Sequence, residues 1–411
     1  MKKAFQKCNK TGVMRLVVLL IIFILLCINL TCVFTCIFST NAEGEQSEDE
    51  QAKTEERLQE NIEKLLGELD LEALQAYVDS LDLWKGESVE ERLIEYIKGG
   101  AIDYESFGKQ IAEVLFKNVR EILPSFACIA AIALLSGLMS TLKSGTLAAT
   151  SSDMMFLINY TAALIPLIGV LTECFHGAMA GISSMQKQMQ IVYPLLLTLM
   201  AASGGTLSVS VCRPAVAFFS TTIVSTISSI VLPLTVTIIA FSMASNLTKE
   251  LKISKFSAFF KSINKWIIGI CISAFGIFFT LQGITAANYD GVVRRAAKYA
   301  IGTGIPIVGG FLSGGFDLAV AGSILIKNSL GSMSIFLMLS VLFEPLILLI
   351  SVNLLLRFTA AITQPFGDSR ISDFLGETAE NLHYCTAGLL FTAFLYFLTI
   401  MQIVSSTEAL L

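Results

Sequence analysis

An all-α, polytopic membrane helix bundle is the fold class this sequence predicts, on three observations. From residue 122 to residue 404 the chain is a succession of apolar runs of about twenty residues, broken only by short polar loops. Hydrophobic residues make up 54% of the chain and charged residues 15%, more hydrocarbon than a soluble core can hide. The acid is confined to one segment: residues 43–121 hold 22 acidic and 9 basic residues, whereas residues 122–411 hold 11 acidic and 14 basic. A spanning helix needs roughly 20 apolar residues to cross a ~30 Å hydrocarbon core. Eight stretches qualify: 122–142, 154–175, 191–211, 215–245, 266–287, 299–326, 332–359 and 386–404. The lipid bilayer is therefore the solvent. An acidic segment repels nucleic acid, and the remaining Lys and Arg sit in short loops where they orient helices, so nucleic acid is excluded as a partner.

At the N-terminus, Lys2, Lys3, Lys7, Lys10 and Arg15 precede an apolar run over 16–38, and Thr40-Asn41-Ala42 supplies small residues for a cleavage site. Residues 1–42 resemble a secretory signal peptide; because the run exceeds the usual 7–15-residue core, an uncleaved anchor is the competing reading. In both readings residues 43–121 emerge on the far side of the membrane. N-terminal sequencing decides between them. Within this acidic segment, apolar residues recur at helical spacing: Leu58, Ile62, Leu65, Leu66 and Leu69, then Leu74, Val78 and Leu81. Val89, Leu93, Ile94 and Ile97 form a second stripe, and Phe107, Ile111, Val114 and Leu115 a third that runs towards the first span. Helices this short bury little core, so the segment is read either as a small self-packed helical bundle or as a docking surface for an extracytoplasmic partner.

The membrane region, residues 122–404, with a short tail at 405–411, contains a candidate duplication. Pro194 and Pro233 are 39 residues apart, as are Pro306 and Pro345, and each first proline precedes a Ser-Gly-Gly, ending in Gly204-Gly205 and in Gly314-Gly315. An offset of 112 superposes the prolines and pairs residues 154–245 with 266–357, three spans in each. Three spans per unit require the copies to face opposite ways, the inverted-repeat plan of many secondary transporters. The double glycines fall two residues out of register, and coincidence is the competing explanation. These prolines and glycines either allow close helix packing or open the backbone to line a cavity.

Loop charges leave the topology undecided: with eight spans, seven basic residues fall inside and seven, Lys327 among them, outside. The discordant cluster lies between Lys249 and Lys265, where Ile253, Phe256, Phe260, Ile263 and Ile267 share one helical face and Lys255, Lys261 and Lys265 project away from it. That is the pattern of a basic helix lying in the membrane interface.

Polar groups within spans are costly and therefore candidates for function. Glu344 lies mid-run beside Pro345, and Asp317 follows the second double glycine; a transport or gating role competes with a structural ion pair or a protonated hydrogen-bonding group. No enzyme is expected. Gly310-Phe311-Leu312-Ser313-Gly314 is one residue too long for an intramembrane serine protease motif, Gly314-Gly315-Phe316-Asp317 has the wrong order for an aspartyl type, and neither a zinc motif nor a nucleotide-binding loop occurs. Only His176 and His383 are available as neutral-pH bases. Of nine cysteines, Cys8, Cys27, Cys32 and Cys36 lie in the N-terminal stretch, and the others lie in or beside spans without forming a ligand pair, so no metal or cofactor is implied.

Two blocks resemble a known family. Residues 188–200 (Gln188-Met189-Gln190 through Tyr193-Pro194 to Met200), followed by Ser203-Gly204-Gly205 and Arg213-Pro214-Ala215-Val216-Ala217, are similar to the stage III sporulation protein AE family of endospore-forming Firmicutes. So are Asp290-Gly291 through Arg294-Arg295 to Lys298-Tyr299, Ile305-Pro306 to Gly309-Gly310, Leu325-Ile326-Lys327-Asn328, and Gln364-Pro365 with Arg370-Ile371. The resemblance implies a multi-pass protein of the mother-cell membrane around the forespore, a non-enzymatic part of a channel or feeding apparatus required for late forespore gene expression. It also implies as partners the other stage III sporulation AA–AH proteins, among them a secretion-type ATPase, and stage II sporulation protein Q. A free-standing secondary transporter and a purely structural membrane scaffold are the alternatives.

Overall fold

The computed structural model describes residues 48–81, 88–98, 104–142, 149–247, 254–285, 309–366 and 369–405, all helical apart from short turns and caps. The chain divides at Arg57 into two compact units, and of the first only the opening residues of α1 are described. The helices are α1 (Glu48–Glu68), α2 (Glu72–Ser80), α3 (Val89–Ile97), α4 (Tyr104–Leu142), α5 (Ala149–Ala202), α6 (Thr206–Phe218), α7 (Leu232–Leu247), α8 (Ser254–Thr285), α9 (Gly309–Phe366) and α10 (Ser369–Ser405). Two π-helical turns, Phe219–Ile223 and Ile227–Val231, with one α-turn between them, join α6 to α7 into a continuous rod.

Six described helical stretches are long and apolar enough to cross a membrane, not the eight expected: Glu113–Leu138, Met154–Ala202, Cys212–Leu247, Lys255–Thr280, Leu318–Pro365 and Arg370–Ser405. The expected span 191–211 is broken by a turn at 203–205, residues 299–308 of the expected span 299–326 lie outside the described residues, and the lower count has one cause, found twice. The polar stretch 176–190, a loop on polarity alone, contains no proline and is rich in Met, Gln and Ala, so the helix passes straight through it. Likewise 327–331 continues α9 rather than ending a span. At 1.5 Å per residue, the 49-residue and 48-residue stretches of α5 and α9 are each about 72–74 Å long, more than twice the ~30 Å hydrocarbon thickness.

α9 and α10 form an antiparallel pair. The Ser372 hydroxyl donates to the Ala360 carbonyl (2.8 Å) near the connection, and the Asn353 amide donates to the Ala379 carbonyl (2.6 Å) two turns on. At the far end the Lys327 ammonium donates to the Val404 carbonyl (2.8 Å). α5 completes the centre of the bundle. Its Tyr160 ring meets Phe374 at 5.3 Å and its Tyr193 ring meets Tyr396 at 5.5 Å, so α5 runs parallel to α10 and antiparallel to α9. Close approach of α5 to α9 depends on Gly177 and Gly181, one helical turn apart. A Cβ built on Gly181 would stand 2.9 Å from Pro345 Cγ, leaving no room for a side chain.

The acidic segment is anchored to this bundle from Leu58 onward. Ile62 and Leu66 of α1 are buried, and Leu65 and Ile62 close over Gly322 of α9. α3 begins with a capping box: Ser88 Oγ accepts from the Glu91 amide (3.1 Å) and Glu91 accepts from the Ser88 amide (3.2 Å). The Val89 amide donates to Gln75 Oε1 (2.7 Å), tying α3 to α2. Tyr77 is buried and its hydroxyl donates to the Ser184 carbonyl in the middle of α5 (3.1 Å). As expected from its third apolar stripe, the segment passes without a break into the first span within α4.

Candidate functional site

The sequence candidates separate into three groups once placed in the fold. Gly204 and Gly205 turn the chain between α5 and α6: Gly204 has φ 94°, and the Gly205 amide donates to the Met200 carbonyl (2.9 Å) while Gly204 donates to Ala201 (3.0 Å). This is a glycine helix stop, with the left-handed residue where no Cβ opposes it. Gly314 and Gly315, expected to act alike, lie within continuous α9. Pro194 and Pro345 lie inside α5 and α9, which pass through them without opening. Pro233 lies two residues after the second π-turn, and the rod stays helical through it. Pro306 lies outside the described residues.

Lys255, Lys261 and Lys265 occupy the first turns of α8, continuous with the span that follows. Towards α7 the helix presents Ser257 and Asn264, both buried, with Asn264 donating to Thr235 Oγ1 (3.0 Å) and Phe260 stacked on Phe241 at 5.4 Å, while Phe256 of the expected apolar face stays exposed. Lys327, read as an outside loop residue, is fully buried, because its ammonium caps the carbonyl end of α10. His383 lies 2.9 Å from the Arg357 guanidinium through Nε2, and Arg357 Nε donates to Asn353 Oδ1 (3.0 Å). Glu377 accepts from the Ser242 hydroxyl (2.5 Å) and from Asn246 (3.4 Å). These polar links join α7, α9 and α10. Among the described residues no group of three His, Cys, Asp or Glu converges as metal ligands, and Cys174, Cys212, Cys271 and Cys385 are free and buried.

Glu344 behaves differently. Pro345 beside it is buried against Gly181, whereas Glu344 itself is exposed and, among the described residues, has no hydrogen-bond or ion-pair partner. The contact with Gly181 places it level with the polar centre of α5, where Glu173, His176, Lys187 and Gln190 are exposed and Tyr77 reaches Ser184. From Glu173 to Gln190 this centre covers about 26 Å of helix axis. Apolar stretches continue α5 and α9 on both sides of it. A polar belt therefore crosses the middle of the longest helices. Asp317 lies in the opening turns of α9, and its side chain is outside the described residues.

A second feature was absent from the sequence reading. Between α5 and α6 lies a cleft of about 500 Å³, lined by Gln190, Pro194, Thr198, Arg213, Ala217 and Thr221 among others. Apart from Ser220 and Thr221, its lining falls within 188–217, the first of the blocks that carry the family resemblance. The Gly177–Gly181 pair was also legible as a small-residue helix-packing motif, and the spacing of four was the signal that could have found it.

The match to known proteins covers most of the bundle. The family model described as stage III sporulation protein AE matches residues 88–407. Stage III sporulation protein AE of Bacillus subtilis (strain 168) is 24% identical over 321 residues, covering 78% of this chain and 80% of that protein. No solved structure matches. The family match extends from α3 to the end of α10, and with it this multi-pass helical membrane chain belongs to the stage III sporulation protein AE family of sporulation proteins.

Proposed function

We propose that the chain is a non-enzymatic membrane subunit of the channel or feeding apparatus that joins mother cell and forespore, set in the mother-cell membrane. In this reading it works with the other stage III sporulation AA–AH proteins and with stage II sporulation protein Q, and its acidic segment offers them a docking surface between the two membranes. The observation that carries the reading is the polar belt, above all the exposed, unpartnered Glu344, the one charge on α9 between Lys327 and Arg357. A bare carboxylate facing hydrocarbon is costly, so that face borders water or a partner's polar groups in the working complex. A conduit supplies such a face, and a lipid-surrounded scaffold does not.

Glu344→Gln keeps the shape of the side chain and removes its charge. Expected in sporulating cells is a loss of late forespore gene expression with the protein at normal abundance by immunoblot. Normal sporulation in that variant at normal abundance supports the scaffold instead. Solute movement by the purified protein alone in liposomes would favour the free-standing transporter.

A further inference from the structure

The cleft between α5 and α6 has a ligand-like distribution of chemistry. It runs alongside both helices below the Gly204 corner, and from Gln190 to Ala201 it follows α5 for about 17 Å. Pro194, Val216 and Ala217 make an apolar floor. Arg213 is its one charged residue; it is exposed, and among the described residues no acidic group pairs with it. Thr198 has its hydroxyl proton committed to the Pro194 carbonyl (2.9 Å), which leaves Arg213 as the charged donor in the middle of the cleft. On the facing rod the first π-turn carries Ser220, whose carbonyl receives the Gln186 amide (3.4 Å), so the far end is held by a link between the two walls.

Size decides what fits. A helix about 10 Å across and 17 Å long occupies roughly 1,300 Å³, well beyond the 500 Å³ present. A single extended acyl chain does fit, with the rest of a lipid outside the cleft, and an exposed guanidinium with no acidic partner among the described residues calls for an anion. We infer that the α5–α6 cleft holds one acyl chain of an anionic phospholipid, the phosphate on Arg213 and the chain along the floor past Pro194 and Ala217. The cleft meets the end of the polar belt at Gln190, but the inference rests on Arg213 and stands or falls separately from the conduit reading.

The test is native mass spectrometry of the full-length protein in neutral detergent, offered phosphatidylglycerol, phosphatidylcholine or inorganic phosphate. The unmodified protein retains about tenfold more phosphatidylglycerol than phosphatidylcholine, the factor expected of one charge-assisted contact. Arg213→Gln equalises the two lipids. Ala217→Trp, at an exposed position, fills the floor and abolishes retention with the charge intact. Lys265→Gln, outside the cleft, leaves the preference unchanged. Equal retention of the two lipids by the unmodified protein overturns the inference without need of any variant. So does an unchanged preference in Arg213→Gln, an equal loss in Lys265→Gln, or displacement of the lipid by inorganic phosphate.

Discussion

Single residues in this bundle matter through the helix ends and helix faces they serve. Lys327 is buried because the last turn of α10 offers it a carbonyl at 2.8 Å and the negative end of a helix dipole. Lys327→Met preserves the bulk of the side chain and removes a charge-assisted bond, so a loss of about 1.5–3 kcal/mol is expected, read as a lower melting temperature in detergent. Lys327→Glu, which brings like charge to the same carbonyls, is expected to cost more. Gly204 is a second case: at φ 94° a Cβ meets the backbone, and Gly204→Ala is expected to destabilise by about 1–2 kcal/mol in the same assay. Neither role was legible from residue type alone. A lysine at a polar interruption reads as loop charge until the partner helix is placed, and two like Ser-Gly-Gly motifs part company, a turn at 203–205 within an expected span and continuous helix at 313–315.

Among the elements, the long helices show what hydropathy reads and what it misses. Apolar runs located the membrane-spanning stretches, but polarity alone does not stop a helix, and 176–190 lacks the proline or left-handed glycine that ends α5 at 202–204. The Gly177–Gly181 pair instead serves packing against Pro345. Gly181→Val places carbon 2.9 Å from the proline ring and is expected to cost about 1–3 kcal/mol by overpacking. Gly169→Ala, on the same helix with nothing within 4 Å of the new Cβ, is expected to be neutral or to stabilise by up to about 1 kcal/mol. Equal melting temperatures for the two variants would contradict the assigned contact. The α5–α6 cleft was not legible because it depends on how two helices diverge below a corner, which no periodicity encodes.

Across the bundle, the acidic segment and the membrane helices meet at the same level as the polar belt. Tyr77 makes that junction, and Tyr77→Phe is expected to cost about 1 kcal/mol and to speed proteolysis of α1–α3. Burial holds the Tyr77 phenol above its ordinary pKa of 10.0, so the neutral donor is favoured in the folded state. The junction's contribution is thus full below pH 10 and fades only as pH rises through the raised value, with no change expected across the physiological range. The most direct test of the central claim, that the polar belt borders an aqueous or partner-lined path, is thiol labelling at position 344. In a cysteine-free background within sporulating cells, Glu344→Cys is expected to react with a membrane-impermeant maleimide, while Leu354→Cys, which is also exposed on α9, stays unlabelled in lipid. Failure of both positions to react would place Glu344 against hydrocarbon and contradict the account.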